Sequence, residues 1–382
     1  MRLIPLNRVP DGATLGKDVA SGRPDGMPLL RRGTSLSPKF VNALLKAGVH
    51  AVYVDDPETQ GIDPAAALSD ETRAAATAAV SKAFETASSA LASGQPLTAE
   101  AIGELEAIAA RMAQEIADTN DFALALGDLS AADAYTLQHS VDVAALGLLI
   151  GQRLFKARGY TDYLGRQSWQ KLDQRMTRLG LGLLLHDIGK LVVPAEILTK
   201  PGRLEPHEWE VMKTHPVAGV ELLRSDLISP LVKVVVRSHH ERWEGGGYPD
   251  CKSELDIHEL ARIAAVADVY DAVTSERVYA PARPPHVGVR IIREGRGTAF
   301  DAEIVDVFSQ IVAPFPPGNP IELADGRSGV VSDVIEGHID RPVVRVLNDG
   351  APYELDLTEH PGVLIEGWED MDPSSAPVPA RA

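Results

Sequence analysis

Seven histidines and aspartates in the middle of the chain are the residues most able to do chemistry. They lie in apolar, helix-like surroundings, and neutral imidazoles with a few carboxylates are the ligand set of Zn, Fe, Mn or Ni. Such ions activate water for hydrolysis. The pattern therefore predicts a multi-metal hydrolase whose ligands are His139, His186, Asp187, His215, His239, His240 and Asp268.

The dipeptide His186-Asp187 comes directly after three leucines. Burying the Asp187 carboxylate there is costly unless cations lie beside it, and a pair of metal ions is the natural partner. A carboxylate in this place can bridge two ions, which polarise a shared water into hydroxide near neutral pH. Lys190 is predicted one turn beyond His186, on the same helix face, where its ammonium could meet a phosphate oxygen.

Two adjacent imidazoles follow at His239-His240. Adjacent side chains on a helix point about 100° apart, so this pair is expected to serve two different ions rather than one. Asp268 comes after a fully apolar run and is predicted to be a ligand, while Asp271 would orient a ligand or cap the backbone. Five further histidines lie in polar or loop settings and are predicted to be ordinary surface residues: His207, His258, His286, His338 and His360.

The composition limits the partners of the chain. A formal net charge of −17 argues against binding to a nucleic-acid polymer or an anionic membrane. One cysteine, Cys251, excludes an internal disulfide and fits a reducing cytosol. Residues 1–10 lack the apolar segment of a signal peptide, and no run of about 18 apolar residues occurs. A cytoplasmic protein without a membrane span is therefore expected.

The predicted elements divide the chain into five segments and give a mainly α fold class. The segments are 1–56 (small α+β module), 57–128 (linker and helical hairpin), 129–316 (helical bundle core), 317–370 (small antiparallel β-module) and 371–382 (disordered tail). Strand signals are nearly absent from the core. Helices that hold candidate ligands are predicted over 133–154, 179–191, 207–223 and 260–273.

Residues 130 to about 310 resemble the HD-GYP domain, a subgroup of the HD metal-dependent phosphohydrolases. The resemblance runs in order and at family-like spacing, and it implies an HD-type helical bundle. It also implies hydrolysis of the bacterial second messenger cyclic di-GMP to linear pGpG, or on to GMP. The matching strings are His139-Ser140, His186-Asp187-Ile188-Gly189-Lys190, 197–202, His215-Pro216, His239-His240-Glu241-Arg242, Gly247-Tyr248-Pro249, 261–263 and 268–275.

The resemblance also implies roles for individual residues. All seven histidines and aspartates named first fall on metal-ligand positions of the family, and Asp187 falls on the bridging carboxylate. Lys190 and Arg277 fall on positions that contact the substrate phosphate, and Tyr248 is expected to bind the substrate as well. The implied cofactors are two divalent transition-metal ions, Fe or Mn with Ni or Zn as alternatives. A hydroxide that bridges them would attack phosphorus, while Lys190 helps to neutralise the developing charge.

The chain departs from the family pattern at three positions. Tyr135 stands where some members have a glutamate for a third metal, and a phenol is a poor ligand at neutral pH, so two metals are expected. Glu244 replaces an aspartate before the Gly-Tyr-Pro motif, which is a mild change. Ala280 stands where a basic residue is usual, which removes a phosphate contact that Arg283 could replace.

Several functions stay open at this level. The first hypothesis is a cyclic di-GMP phosphodiesterase, and Ala280 keeps open a catalytically weak receptor or scaffold that signals through its flanking modules. An HD phosphohydrolase of another cyclic dinucleotide would share the same phosphate chemistry. The Gly-Tyr-Pro match disfavours an iron oxygenase on this framework.

Two expectations concern protein partners. The Gly247-Tyr248-Pro249 loop is either a rigid turn beside the substrate pocket or a docking surface for GGDEF-type diguanylate cyclases. The helical hairpin over 65–126 is of a kind that often dimerises, so a homodimer is the oligomer to test for.

Overall fold

The computed structural model describes residues 1–19, 27–47, 49, 51–63, 66–93, 98–119, 135–162, 165–275 and 282–368. Arg277, Ala280 and the tail at 371–382 lie outside these residues, and so does the side chain of Tyr135. The predictions that rest on them therefore stay predictions. They are substrate contact by Arg277, a lost contact at Ala280, two metals rather than three, and a disordered tail.

A small antiparallel sheet and one helix form the first part of the chain. The elements are β1 (Arg2–Pro5), β2 (Thr14–Leu15), α1 (Pro38–Lys46) and β3 (Ala51–Asp55), and the strand order is β1-β3-β2. Helix α1 begins after Ser37, whose hydroxyl accepts a hydrogen bond from the Phe40 amide. Apolar side chains of this part, including Leu15 and Leu36, form a core of their own.

Two long helices follow, α2 (Asp70–Ser93) and α3 (Ala99–Asp118). They pack against each other and against the helices that come next in the chain. Their alanine-rich sequences favour this structure because alanine has the highest helix propensity. A buried ion pair between Arg73 of α2 and Asp142 ties the hairpin to the helical core.

The helical core follows the hairpin in the chain. Its helices are α4 (Tyr135–Arg158), α5 (Leu172–Leu184), α6 (Ala195–Leu198), α7 (Pro206–Met212), α8 (His215–Leu222), α9 (Pro230–Ser238), α10 (Glu259–Thr274), α11 (Pro285–Glu294) and α12 (Ala302–Ile311). Helix α5 packs against α3, α4 and α9. A two-stranded ribbon, β4 (Tyr160–Thr161) with β5 (Gln167–Ser168), lies between α4 and α5 and was not expected from the sequence.

Close contacts at two glycines fix the position of α5. A Cβ on Gly147 of α4 would lie 2.5 Å from Leu183 Cδ1, and a Cβ on Gly182 would lie 2.8 Å from Val235 Cβ of α9. Both distances are shorter than side chains tolerate, so the absence of a side chain lets the helices approach. The carboxyl end of α5, where His186 follows, is therefore held firmly between α4 and α9.

Two of the predicted helices are interrupted next to the candidate ligands. The helix predicted over 179–191 ends at Leu184, and His186-Asp187 occupy a turn before a 3₁₀ helix, Ile188–Val192. The side chains of adjacent residues on a continuous helix point in different directions. This turn instead lets the side chains of His186 and Asp187 both be buried. The helix predicted over 207–223 is divided into α7 and α8, because Pro216 favours a helix start and His215 becomes the first residue of α8.

A four-stranded antiparallel sheet follows the helical core. Its strands are β6 (Pro320–Glu322), β7 (Ser328–Ile335), β8 (His338–Val346) and β9 (Tyr353–Asp356), in sequential order. The first part of the chain contacts it, since the Leu3 amide donates to the Gly318 carbonyl at 2.7 Å and Arg345 donates to the Gln60 carbonyl at 2.8 Å.

The described helices include none that combines the length and the apolar character needed to cross a membrane. The predicted fold class, mainly α with a small α+β module before the bundle and a small β-module after it, is confirmed. The segment boundaries assigned from the sequence stay a prediction.

Candidate metal centre

The seven predicted ligands form two adjoining groups in the interior of the bundle. The ligand atoms within each group all lie within 4.8 Å of one another. The helices α4 and α10, the turn after α5, the start of α8 and the end of α9 supply the side chains. One group is Asp187, His215, His239 and His240, and the other is His139, His186 and Asp268.

Backbone carbonyls orient three of the histidine rings. In three of them Nδ1 faces a backbone carbonyl one turn earlier: His186 with Leu183 at 2.7 Å, His215 with Met212 at 2.8 Å, and His239 with Val236 at 2.9 Å. An Nδ1–H that donates to a carbonyl leaves the Nε2 lone pair free to bind a metal. The local backbone therefore directs three Nε2 atoms toward the centre of the cluster.

Asp187 lies between the two groups. Its Oδ1 is 3.4 Å from His215 Nε2, while its Oδ2 is 3.6 Å from His139 Nε2 and 3.4 Å from His186 Nε2. A carboxylate with one oxygen on each side is placed to contact two ions at once. The other carboxylate, Asp268, lies 3.2 Å from His139 Nε2.

Unsatisfied polar atoms test whether the cluster fits a cation. His186 and Asp187 are each only 1% exposed, yet His186 Nε2 and Asp187 Oδ1 have no hydrogen-bond partner among the described residues. Buried polar atoms without partners are costly, and a divalent cation would satisfy both. The cluster therefore fits divalent metal ions.

The two carboxylates are held in the charged form. Burial by itself raises the pKa of Asp187, but the charges of Lys190 and His186 outweigh it and hold that pKa well below the usual range. Burial also raises the pKa of Asp268, whereas its hydrogen bond with His139 brings that pKa well below the usual range. Both side chains are thus ready to bind cations at neutral pH.

Three imidazoles of the first group are held neutral. Burial lowers the pKa of His215 and His239, and it lowers the pKa of His240 to about 3. Neutral imidazole is the form that binds a metal ion. His139 differs, because hydrogen bonds to two aspartates outweigh the effect of burial and raise its pKa to about 9. The protonated His139 ring must therefore lose a proton before it can bind a metal ion while keeping its hydrogen bond to Asp271.

The comparison with family models decides the identity of this region. A model described as HD domain matches residues 149–304. The helical core therefore carries an HD domain over residues 149–304. Six of the seven clustered residues lie inside the matched segment of the HD domain, and His139 lies just before it. The recognition of this family from the sequence is confirmed.

Relatives with names support the same assignment. A cyclic di-GMP phosphodiesterase of Pseudomonas aeruginosa is 37% identical over 224 residues, which cover 58% of this chain and 50% of the relative. A cyclic di-GMP phosphodiesterase of Thermotoga maritima is 39% identical, over 36% of this chain and 38% of the relative. A 3′3′-cGAMP-specific phosphodiesterase of Vibrio cholerae is 37% identical, over 32% and 24%. The chain thus spans half of these relatives or less.

The adjacent histidines bear on one prediction about the metal ions. His239 and His240 fall in the same group, with ring centroids 4.1 Å apart. The expectation that they serve two different ions stays a prediction. Helix α9 ends at Ser238. The pair therefore follows the turn after the helix and does not diverge as helical neighbours do.

Lys190 and Tyr248 lie at the edge of the cluster, although Lys190 belongs to the 3₁₀ helix and not to a continuation of the helix that the sequence predicted. Lys190 Nζ is 2.5 Å from Asp187 Oδ2, and the side chain is 30% exposed, so it faces both the cluster and solvent. The Tyr248 ring stacks on His240 with centroids 4.7 Å apart. A Cβ on the preceding Gly247 would lie 2.4 Å from Arg242 N, so only glycine lets the loop fold onto the cluster.

Three other features were not predicted from the sequence. Glu241 fixes the Gly-Tyr-Pro loop by accepting hydrogen bonds from the amides of Asp250 at 2.7 Å and Lys252 at 3.0 Å. Trp209 packs its ring against Tyr248. His258 and His286 are not ordinary surface residues, since burial lowers the pKa of both, that of His258 to about 4. These contacts join segments that are distant in sequence. Only Glu241, which directly follows His239-His240, lies in a motif that could have pointed to its role.

Proposed function

We propose that this HD domain hydrolyses cyclic di-GMP to linear pGpG, or on to GMP. The observation that carries the proposal is the position of Asp187 between two groups of inward-facing nitrogens and carboxylates. That arrangement suits two cations held side by side, which is the usual arrangement for cleaving a phosphodiester.

The seven clustered residues would hold the metal ions in this proposal, and Asp187 is placed where it would serve both groups. Fe or Mn are the expected ions, and Ni or Zn are alternatives that imidazole and carboxylate ligands accept. When bound, such ions lower the pKa of water and neutralise charge on phosphoryl oxygens. The orphaned His186 Nε2 and Asp187 Oδ1 support this assignment.

The side chains around the ligands bind and orient the substrate. Lys190 holds a proton-bearing ammonium beside Asp187, where it can donate to a phosphate oxygen on the solvent side. Arg277 would add a second phosphate contact. Tyr248 lies over His240 and closes the cluster on one side, which limits the entry of water. A chain with a net charge of −17 needs such local positive charge to attract a dianionic substrate.

A second substrate has a specific observation in its favour. One relative is named a 3′3′-cGAMP-specific phosphodiesterase, at an identity close to that of the cyclic di-GMP enzymes. The phosphate chemistry is common to both substrates, so 3′3′-cGAMP is the alternative to test.

Partners and location complete the proposal. The Gly-Tyr-Pro loop would be a rigid part of the pocket or a docking surface for GGDEF-type diguanylate cyclases, and the hairpin of α2 and α3 would support a homodimer. A cytoplasmic location fits the single cysteine and an intracellular messenger.

The test is product analysis by anion-exchange chromatography. Protein loaded with Mn²⁺ or Fe²⁺ under anaerobic conditions is incubated with cyclic di-GMP, and pGpG and GMP are quantified over time. We expect pGpG to appear with wild type and to be lost with Asp187→Ala, while the surface variant His338→Ala keeps full activity. Tight binding of cyclic di-GMP without product, equal in wild type and Asp187→Ala, would favour the receptor function instead.

A further inference from the structure

Trp209 lies on α7, a helix with no buried residue. The side chain of Trp209 is 46% exposed, and such exposure is common for a single tryptophan on a protein surface. Its position is what matters here. The indole meets the Tyr248 ring edge to face, with centroids 6.1 Å apart.

Tyr248 connects this indole to the candidate metal centre. The Tyr248 ring stacks on His240 at 4.7 Å and lies 6.4 Å from the ring of His215. Trp209 is therefore two ring contacts away from two candidate ligands.

The helix backbone that carries the indole is also held in place. Glu208, the neighbour of Trp209, makes an ion pair with Lys200 at 2.6 Å and accepts the Glu205 amide at 2.7 Å. These contacts close the start of α7 in a capping box. An aromatic ring on a fixed helix beside the candidate metal centre provides a ready surface for stacking, because less conformational entropy is lost when a ligand binds.

We propose that Trp209 is the stacking platform for a purine base of the dinucleotide whose phosphate lies at the metal centre. The inference rests on the proposed function and names the residue that holds the base. Tyr248 is the less suitable platform, because His240 already covers one face of its ring. Every base has a π face, so the platform would accept guanine and adenine alike.

The test compares a ligand with a base and a ligand without one. Mn²⁺-loaded full-length protein is titrated with 5′-GMP and with ribose 5-phosphate by isothermal titration calorimetry. We expect Trp209→Ala to weaken 5′-GMP about tenfold and to leave ribose 5-phosphate unchanged. Trp209→Phe should weaken 5′-GMP by a smaller factor, since phenylalanine keeps a stacking face.

Trp169 provides the matched control. It is 55% exposed and packs near Gly159 at the far end of α4, roughly 30 Å along that helix from His139. Trp169→Ala should bind both ligands as wild type does. Wild-type protein should also lose part of its tryptophan fluorescence with 5′-GMP, and Trp209→Ala should not.

Three results would overturn the platform. They are equal affinity for 5′-GMP in wild type and Trp209→Ala, an equal loss for 5′-GMP and ribose 5-phosphate, and no binding of 5′-GMP to wild type. Measuring hydrolysis of the cyclic dinucleotides distinguishes a failure of the stacking role from a failure of the proposed function. If 5′-GMP binds as expected but the protein cleaves neither cyclic di-GMP nor 3′3′-cGAMP, the proposed activity is refuted and the stacking role of Trp209 stands. If both are cleaved, Trp209→Ala should raise KM for both by a similar factor.

Discussion

His139 Nδ1 lies 2.6 Å from Asp271 Oδ2, so a carboxylate of α10 orients a candidate ligand of α4. Ser275 Oγ in turn donates to Asp271 Oδ1 at 2.9 Å. The pair holds His139 Nε2 beside Asp268, one turn earlier on the same helix. Carboxylates in this position fix the ring and raise its basicity toward a metal ion.

Replacing Asp271 tests this relationship. Asp271→Asn should weaken metal binding about 10- to 100-fold, because the amide cannot orient and charge the His139 ring as the carboxylate does. Ser275→Ala, which removes only the outer hydrogen bond, should have a smaller effect. Competition with a chelator measures the metal affinity of each variant. Wild-type affinity in Asp271→Asn would show that the pair has only a packing role.

Lys190 is predicted to act on the substrate rather than on the metal ions. Lys190→Met should lower kcat for cyclic di-GMP at least tenfold, since an ammonium near phosphate is lost from a largely buried site. The metal content should stay at the wild-type value. Lys82→Met, which removes an exposed ammonium that pairs with Glu104 on the hairpin, is the control and should keep wild-type kcat. A parallel loss of metal and activity in Lys190→Met would place this residue with the ligands.

The Gly-Tyr-Pro loop offers a pair of neighbouring glycines for comparison. A Cβ on Gly247 would lie 2.4 Å from Arg242 N, whereas a Cβ on Gly246 would meet nothing closer than Arg242 Cδ at 4.0 Å. Gly247→Ala should therefore cost about 1–3 kcal/mol of unfolding free energy and reduce activity by displacing Tyr248. Gly246→Ala should change both far less. Urea unfolding and kcat/KM measure the two effects, and equal behaviour of the two variants would contradict the loop geometry.

The stability of the protein should depend on pH through His258. Burial, with Arg175 and Arg262 nearby, lowers the pKa of His258 from 6.5 to about 4. The unfolded chain then binds more protons than the folded chain between these values, so the stabilising contribution is present above pH 6.5 and is lost as pH falls toward 4. His258→Asn keeps a residue that can cap α10 but cannot titrate.

Unfolding midpoints at pH 7.5 and pH 5 check this dependence. The midpoint of His258→Asn should fall less between the two pH values than that of wild type. His338→Asn, at an exposed position of β8, should fall as much as wild type does. An identical fall in all three proteins would exclude a role for His258.

The sequence predicted the ligand residues better than it predicted their backbone. Apolar flanks identified Asp187 and Asp268 because a carboxylate is rarely buried without a cation. The turn at His186-Asp187 was missed, since it depends on a contact between segments far apart in sequence. A Cβ on Gly189 would lie 1.9 Å from the His215 carbonyl, and no local pattern encodes that approach.

The same limit applies to the surroundings of the cluster. The role of Asp271 was anticipated from its spacing to Asp268, but its partner His139 lies 132 residues away. Trp209 carried no signal in the sequence, because only the folded chain brings α7 against the Gly-Tyr-Pro loop. Periodic helices and turn-bounded strands follow from local physics, whereas side chains gathered from several elements do not.

Metal-dependent turnover tests the central claim most directly. Metal-free protein is titrated with Mn²⁺ under conditions where binding is stoichiometric, and the initial rate of pGpG formation from cyclic di-GMP is measured at each ratio. The rate should rise until about two equivalents per chain and then stay constant, since the seven clustered residues would hold two ions. No product at any ratio, or a rate that still rises toward three equivalents, would contradict a two-metal phosphodiesterase.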